Sequence, residues 1–167
     1  MAGGGAEVKI RRIVAGFDAG GCRPETLRAI AALAAETQAE LLGLFIEDLG
    51  LLQLARLPFA AEVGYPSAAL RSLDVATLER ALRARAESLR AALGSAASQW
   101  TFRVERGHPA DVLAAALAEG HAPALLIPPR GRPRAEHRVV RQAELTESLL
   151  SELVAAARPV LVLPEKL

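Results

Sequence analysis

Cysteine is almost missing from this chain. Cys22 is the only one among 167 residues, which excludes an intrachain disulfide framework and any structural zinc site built on thiolates. A lone thiol fits a reducing compartment, so a cytoplasmic protein is expected. Aromatic residues are scarce too, at 4%, against 51% hydrophobic residues, so the core must be aliphatic and closely packed. That shortage argues against an all-β sandwich and for an α/β arrangement. Neither sign of charge is in excess, since 20 basic residues face 19 acidic ones and leave a net charge of +1. A global field aimed at nucleic acid or a membrane surface is thereby excluded, and electrostatic recognition must be local. No apolar run approaches the roughly 18 residues of a membrane span. The N-terminus, from Met1 to Arg12, carries a glycine run and charges where a secretory signal would place its apolar segment. The mature protein is expected to be soluble and unprocessed. His108, His121 and His137 each lack a second ligand at metal spacing, so no metal site is expected. Ser67, Ser72, Ser95, Ser98, Ser148 and Ser151 lie in no nucleophile-elbow pattern, so hydrolase chemistry has no positive support and a non-enzymatic protein is expected.

What is present reads as alternating strands and helices in one domain, the natural count for this length. Residues 1–8 read as a flexible N-terminus and 9–167 as the domain. Ile10 to Phe17 reads as a strand that becomes buried and stops at Asp18-Ala19-Gly20-Gly21. Pro24 suits a first helical position, and Leu27, Ile30, Ala31 and Ala34 recur at helical spacing through about Ala39. Leu41 to Ile46 is a short continuous apolar run, the pattern of a strand covered on both faces in a parallel sheet. Residues 48–73 read as an irregular insertion broken by Pro58, Gly64 and Pro66, with a short helix possible around Leu49 to Ala55; a segment that long is a lid, a binding loop or an interface element. Asp74 reads as the N-cap of a helix with Leu78, Leu82, Arg85, Ala86, Leu89 and Leu93 at helical spacing, ending at Gly94. Trp100 to Arg106 alternates as a strand exposed on one face, and Gly107-His108-Pro109 turns into a helix from Ala110 to Glu119. Ala124 to Ile127 is the next buried strand. A proline- and arginine-rich loop over 128–142, a helix over about 143–157 and a last strand from Pro159 to Leu163 complete the chain. Right-handed crossovers then make a doubly wound sheet of five parallel strands with helices on both faces, its ligand site beyond the carboxyl ends of the strands at the switch point.

Three motifs in this order carry a family resemblance: Asp18 closing the first strand, Gly107-His108-Pro109-Ala110-Asp111-Val112-Leu113 opening a helix, and the closing Ala157-Arg158-Pro159-Val160-Leu161-Val162. Over residues 9 to 165 the layout resembles universal stress proteins of the UspA-like type, which implies a Rossmann-like, adenine nucleotide alpha hydrolase-like fold and a stress-response role exercised through binding. The stretch from Leu51 to Gly64 is similar to an insertion in some bacterial relatives. In ATP-binding members the strand at Ile127 would be followed by G-x2-G-x9-G-[S/T], whose backbone amides cradle phosphates. Here Pro128 and Pro129 stand at and after the first glycine position, and only Gly131 survives. Ten residues on stand Arg141 and Gln142, and counting back from Pro159 gives Thr146 and Glu147; neither alignment restores the motif. Each proline lacks an N–H and fixes φ near −65°, whereas a phosphate nest needs free amides and permissive glycines. ATP binding through the usual phosphate loop is therefore not expected. The resemblance also implies dimers that pair through the last strand, Val160 to Leu163.

The candidate cleft comprises Gly16, Phe17, Asp18 and Ile46, which the resemblance places near a nucleoside, with Arg130, Gly131 and Arg132 as candidate anion contacts. Asp18 can equally be a turn or cap residue for the following helix. The basic loop holds Arg130, Arg132, Arg134, Arg138 and Arg141 against Glu136 alone. It reads either as a solvated charge run or as a set of guanidinium forks that replace the missing amides in gripping ATP, AMP, another anion or an acidic partner. It contains no aromatic residue, so stacking on single-stranded nucleic acid is not indicated. Cys22 sits near a helix start, where its thiol is either activated or a small buried hydrophobe.

Overall fold

The first strand, β1 (Arg12–Phe17), runs directly into the Asp18 turn, and α1 (Pro24–Thr37) follows with Pro24 at its first position. The structure is a computed structural model and describes residues 10–64, 69–119 and 124–127. After α1 come β2 (Glu40–Asp48), α2 (Leu49–Leu54), β3 (Ala61–Gly64), β4 (Ala69–Ser72), α3 (Val75–Ala96), β5 (Trp100–Gly107), α4 (Pro109–Ala118) and β6 (Ala124–Ile127). The main sheet has the order β5-β2-β1-β6 with every pairing parallel. These are the four expected strands that fall within the described residues. The fifth expected strand, Pro159 to Leu163, and the helix over about 143–157 lie outside them.

Side chains alternate along each strand, so the sheet separates two apolar layers. Ile13, Ala15 and Phe17 of β1 and Leu41 and Phe45 of β2 meet Leu27, Ile30 and Ala34 of α1 and Leu82, Ala86, Leu89 and Leu93 of α3 on one face. Val14 of β1 and Leu42, Leu44 and Ile46 of β2 meet Leu113, Ala116 and Leu117 of α4 on the other. The continuous apolar run of β2 is thus covered on both sides, as its composition requires. β5 has β2 as its only partner among the described residues and is correspondingly wetter.

Helix ends follow local chemistry. Asp74 caps α3 by accepting a 2.9 Å hydrogen bond from the Thr77 N–H, and hydrogen bonding from the Thr77 side chain, then from its N–H, lowers the Asp74 pKa from its ordinary value. α1 ends where Gln38 turns left-handed, at φ 54°, and its N–H bonds back to the Ala34 and Ala35 carbonyls. Two expectations change. Gly94 does not end α3, which continues to Ala96. The missing Cβ serves packing instead, since a Cβ at Gly94 would stand 2.8 Å from the Trp100 ring. The second change concerns 48–73, whose described residues, 48–64 and 69–73, include a helix and two paired strands. Asp48 ends β2 and caps α2 at once through a 2.8 Å bond from the Gly50 N–H, and Leu52 is buried in the α1/α3 layer. β3 and β4 then pair antiparallel, Ala61 opposite Ser72 and Gly64 opposite Ala69. The proline and glycine signals mark breaks between short elements here, and pairing between β3 and β4 supplies order that no single segment announces.

Candidate functional site

The order of the strands places the site. From β1 the chain steps outward to β2 and β5 with α1 and α3 on one face, then crosses back through α4 on the other face to β6, beside β1. The carboxyl ends of β1 and β6 mark the switch point of this strand order, the place where open parallel sheets hold ligands. Among the described residues β1 pairs with β6 from Arg12 opposite Ala124 to Ala15 opposite Ile127, and with β2 from Arg12 to Phe17.

Of the residues expected there, Gly16, Phe17 and Ile46 are all buried. They do not share one face. Phe17 belongs to the α1/α3 layer and Ile46 to the α4 layer, with Gly16 on the α4 side by the alternation of β1. Asp18 is half-buried and shapes the turn itself: its Oδ1 accepts a 2.7 Å bond from the Gly20 N–H, and its carbonyl accepts a 2.9 Å bond from the Gly21 N–H. Gly21 takes φ 75°, the left-handed region that favours glycine, and lets the chain enter α1. The turn-residue reading of Asp18 is thus realised, in a tightly bonded loop at the end of β1. Arg130, Gly131, Arg132 and the whole 128–142 loop, with Pro128 and Pro129, lie outside the described residues, as does the Val160–Leu163 strand. Cys22 packs against the α1/α3 core, and its thiol donates to the Arg23 carbonyl at 3.4 Å. His108 is the residue just before α4, with Pro109 at the first helical position.

Sequence reasoning missed a charged network on the same edge. Glu47, next to last in β2, is the one charged side chain in the interior of the described residues, 8% exposed. Its register partner on β5 is Arg106, whose Nε donates to Glu47 Oε2 at 2.8 Å while Nη2 donates to Glu79 of α3 at 3.1 Å. The Arg106 guanidinium, held first by Glu47 and then by Glu79, has its pKa raised further. One arginine thus ties the carboxyl ends of two strands to the first turns of α3. The signal was Glu47 directly following an apolar run; its partner could not be read because Arg106 is 59 residues away. On the opposite face Arg103 makes a two-pronged pair with Glu119, at 3.1 and 2.8 Å. This pair raises the Arg103 pKa and lowers that of Glu119. Arg85 is a second missed residue: its guanidinium lies against the Asp18–Gly21 turn, 2.7 Å from where a Cβ of Gly21 would be. Among the described residues no group of three or more His, Cys, Asp or Glu is placed to hold a metal, and no helix is long and apolar enough to cross a membrane.

This architecture is the universal stress protein fold. A protein of the universal stress protein family from Burkholderia pseudomallei superposes with a TM-score of 0.57 at 21% identity, over 96% of this chain and 98% of that one. A universal stress protein solved in complex with cAMP superposes with a TM-score of 0.52 at 17% identity, over 93% of this chain and 97% of that one. No protein-family model and no curated protein sequence matches the chain. The likeness is therefore one of fold.

Proposed function

We propose that this chain is a non-enzymatic stress-response protein that acts by binding, and that it does not hold ATP through the glycine-rich phosphate loop of nucleotide-binding universal stress proteins. The observation that carries the reading is the strand order, which makes β1 and β6 the switch point, in a chain whose sequence puts Pro128 and Pro129 after β6 where the cradle needs free amides and glycine. A triphosphate distributes its charge over three groups and depends most on such a cradle. In this reading the protein is cytoplasmic and pairs with a second copy through Val160–Leu163, the apolar run that the sequence reads as a strand.

A second reading has its own support. The solved neighbour with cAMP carries a ligand with one phosphate group, and one phosphate can be gripped by a pair of guanidinium forks without a nest of amides. In that reading Arg130 and Arg132 face an adenine mononucleotide seated beyond Gly16. Isothermal titration of the purified protein with Mg-ATP, AMP and cAMP separates the cases. Saturable stoichiometric binding of Mg-ATP refutes the first proposal. Binding of AMP or cAMP that is lost in Arg130→Gln/Arg132→Gln establishes the second reading, and no binding of any of the three leaves a protein-binding role. Sedimentation of a monomer at micromolar concentration refutes the dimer.

A further inference from the structure

Away from the switch point, the outer surface between α1 and α3 is grooved. The groove encloses about 710 Å³, within the range of small-molecule sites. Its charges are one-sided: Arg28 and Arg85 line it and no acidic residue does. Among the described residues neither guanidinium lies within ion-pair distance of a carboxylate, in contrast to Arg83, Arg90, Arg103 and Arg106. The charge is also polarised along the groove. Arg85 stands beside Gly21, at the start of α1. Ala92 and Ala96 of α3 and Ala31 and Ala35 of α1 line the groove further along, with Leu27 and Leu89 buried beneath. At about 1.5 Å per helical residue, the distance along α3 from Arg85 to Ala96 is roughly 16 Å.

We infer that this groove binds a long-chain aliphatic carboxylate, its headgroup between Arg28 and Arg85 and its tail along the alanines of α1 and α3. Charge complementarity selects the occupant. Two cations favour an anionic headgroup, and a carboxylate-free channel whose other polar side chains are only Ser88 and Ser95 favours an unbranched tail over a peptide, whose backbone would need more hydrogen-bond partners than two hydroxyls supply. The small side chains let the tail approach the helix backbones closely, and the buried leucines below supply a dry floor. The arginine stems can cover the first methylenes while their guanidinium groups stay at the solvent edge.

Dodecanoate, kept below its micelle-forming concentration, is the probe. Titration is followed by calorimetry and by the fluorescence of Trp100, which is the chain's single tryptophan and packs over Gly94, one residue before the groove-lining Ser95. Saturation at one dodecanoate per chain is expected, with butanoate and uncharged dodecanol each binding at least about tenfold more weakly. Arg28→Gln/Arg85→Gln should weaken dodecanoate about tenfold, a factor set by loss of charge-assisted contacts at an exposed site. Both arginines are exposed, so the fold should survive, as a thermal melt will verify. Ala92→Phe fills the channel and should abolish binding with the arginines intact. Dodecanol binding as tightly as dodecanoate, unchanged affinity in Ala92→Phe, or absence of saturable binding each overturns the inference.

Discussion

Gly43 lies in the middle of β2 with Leu93 of α3 and Phe102 of β5 pressed against it. A Cβ at position 43 would stand 2.8 Å from Leu93 Cδ2 and 2.9 Å from Phe102 Cδ2. Carbon contacts prefer about 3.5–4.0 Å, so both neighbours must retreat by roughly 0.6–1 Å to admit one methyl. Leu93 is fully buried and has no solvent to retreat into. Gly43→Ala should therefore cost about 1–3 kcal/mol by overpacking. This outweighs the gain of about 0.4–1 kcal/mol from the stiffer unfolded chain. Leu93→Ala alone should cost about 2–5 kcal/mol, because it opens a cavity at the same place. In the double variant the new methyl occupies part of that cavity, so the two costs should fall short of their sum by at least about 1 kcal/mol. Phe102 still crowds position 43, so full compensation is not expected. Urea unfolding followed by Trp100 fluorescence gives the four free energies, and each kcal/mol should appear as about 2–4 °C in Tm. Additivity within about 0.5 kcal/mol, or a Gly43→Ala protein more stable than the parent, refutes the packing argument.

Three further outcomes follow from the same geometry. Asp18→Asn keeps an acceptor for the Gly20 N–H and should cost less stability in a thermal melt than Asp18→Ala, which removes the acceptor and should cost about 1 kcal/mol, the scale of a lost cap; equal losses would deny the turn role. Asp74 and Glu119 have pKa values lowered in the folded state, so their contributions are complete above the unfolded carboxylate range, near pH 4, and fade as pH falls through the lower folded values. Stability measured from pH 5 to 2 should thus decline less steeply in Asp74→Asn/Glu119→Gln than in the parent, and parallel profiles would refute this. Phe59 and Leu70 are 79% and 74% exposed and share the 48–73 segment with Leu54 and Leu57. Phe59→Ser/Leu70→Ser should raise solubility and reduce light scattering at high concentration with little change in Tm, whereas a large drop in Tm would mean that these side chains are core residues.

Much of the fold was readable locally. Apolar runs marked β1, β2 and β6, helical spacing marked α1 and α3, and Pro24, Asp74 and Pro109 marked helix starts, because each signal lies within one or two turns of chain. The parallel arrangement of the sheet could also be anticipated, since right-handed crossovers leave few arrangements of alternating strands and helices. Residues 48–73 were less legible because β3 and β4 are four residues each, too short for a period to declare itself.

Gly94 shows where local reading stops. In sequence a glycine late in a helix is a terminator, and only the approach of Trp100 reveals that its missing Cβ makes room for a ring. Residues 16, 17 and 46 lie in the strands read from the sequence, but the assignment of Phe17 and Ile46 to opposite faces depends on register and pleat across paired strands. Glu47 with Arg106, and Arg85 against the Gly21 turn, are contacts between residues tens of positions apart. Composition and helix starts are properties of neighbours along the chain and were settled there. Strand order, the partners of buried charge and the arginine-edged groove were decided by tertiary packing, because they exist only once β2 lies between β1 and β5 and α3 lies beside α1.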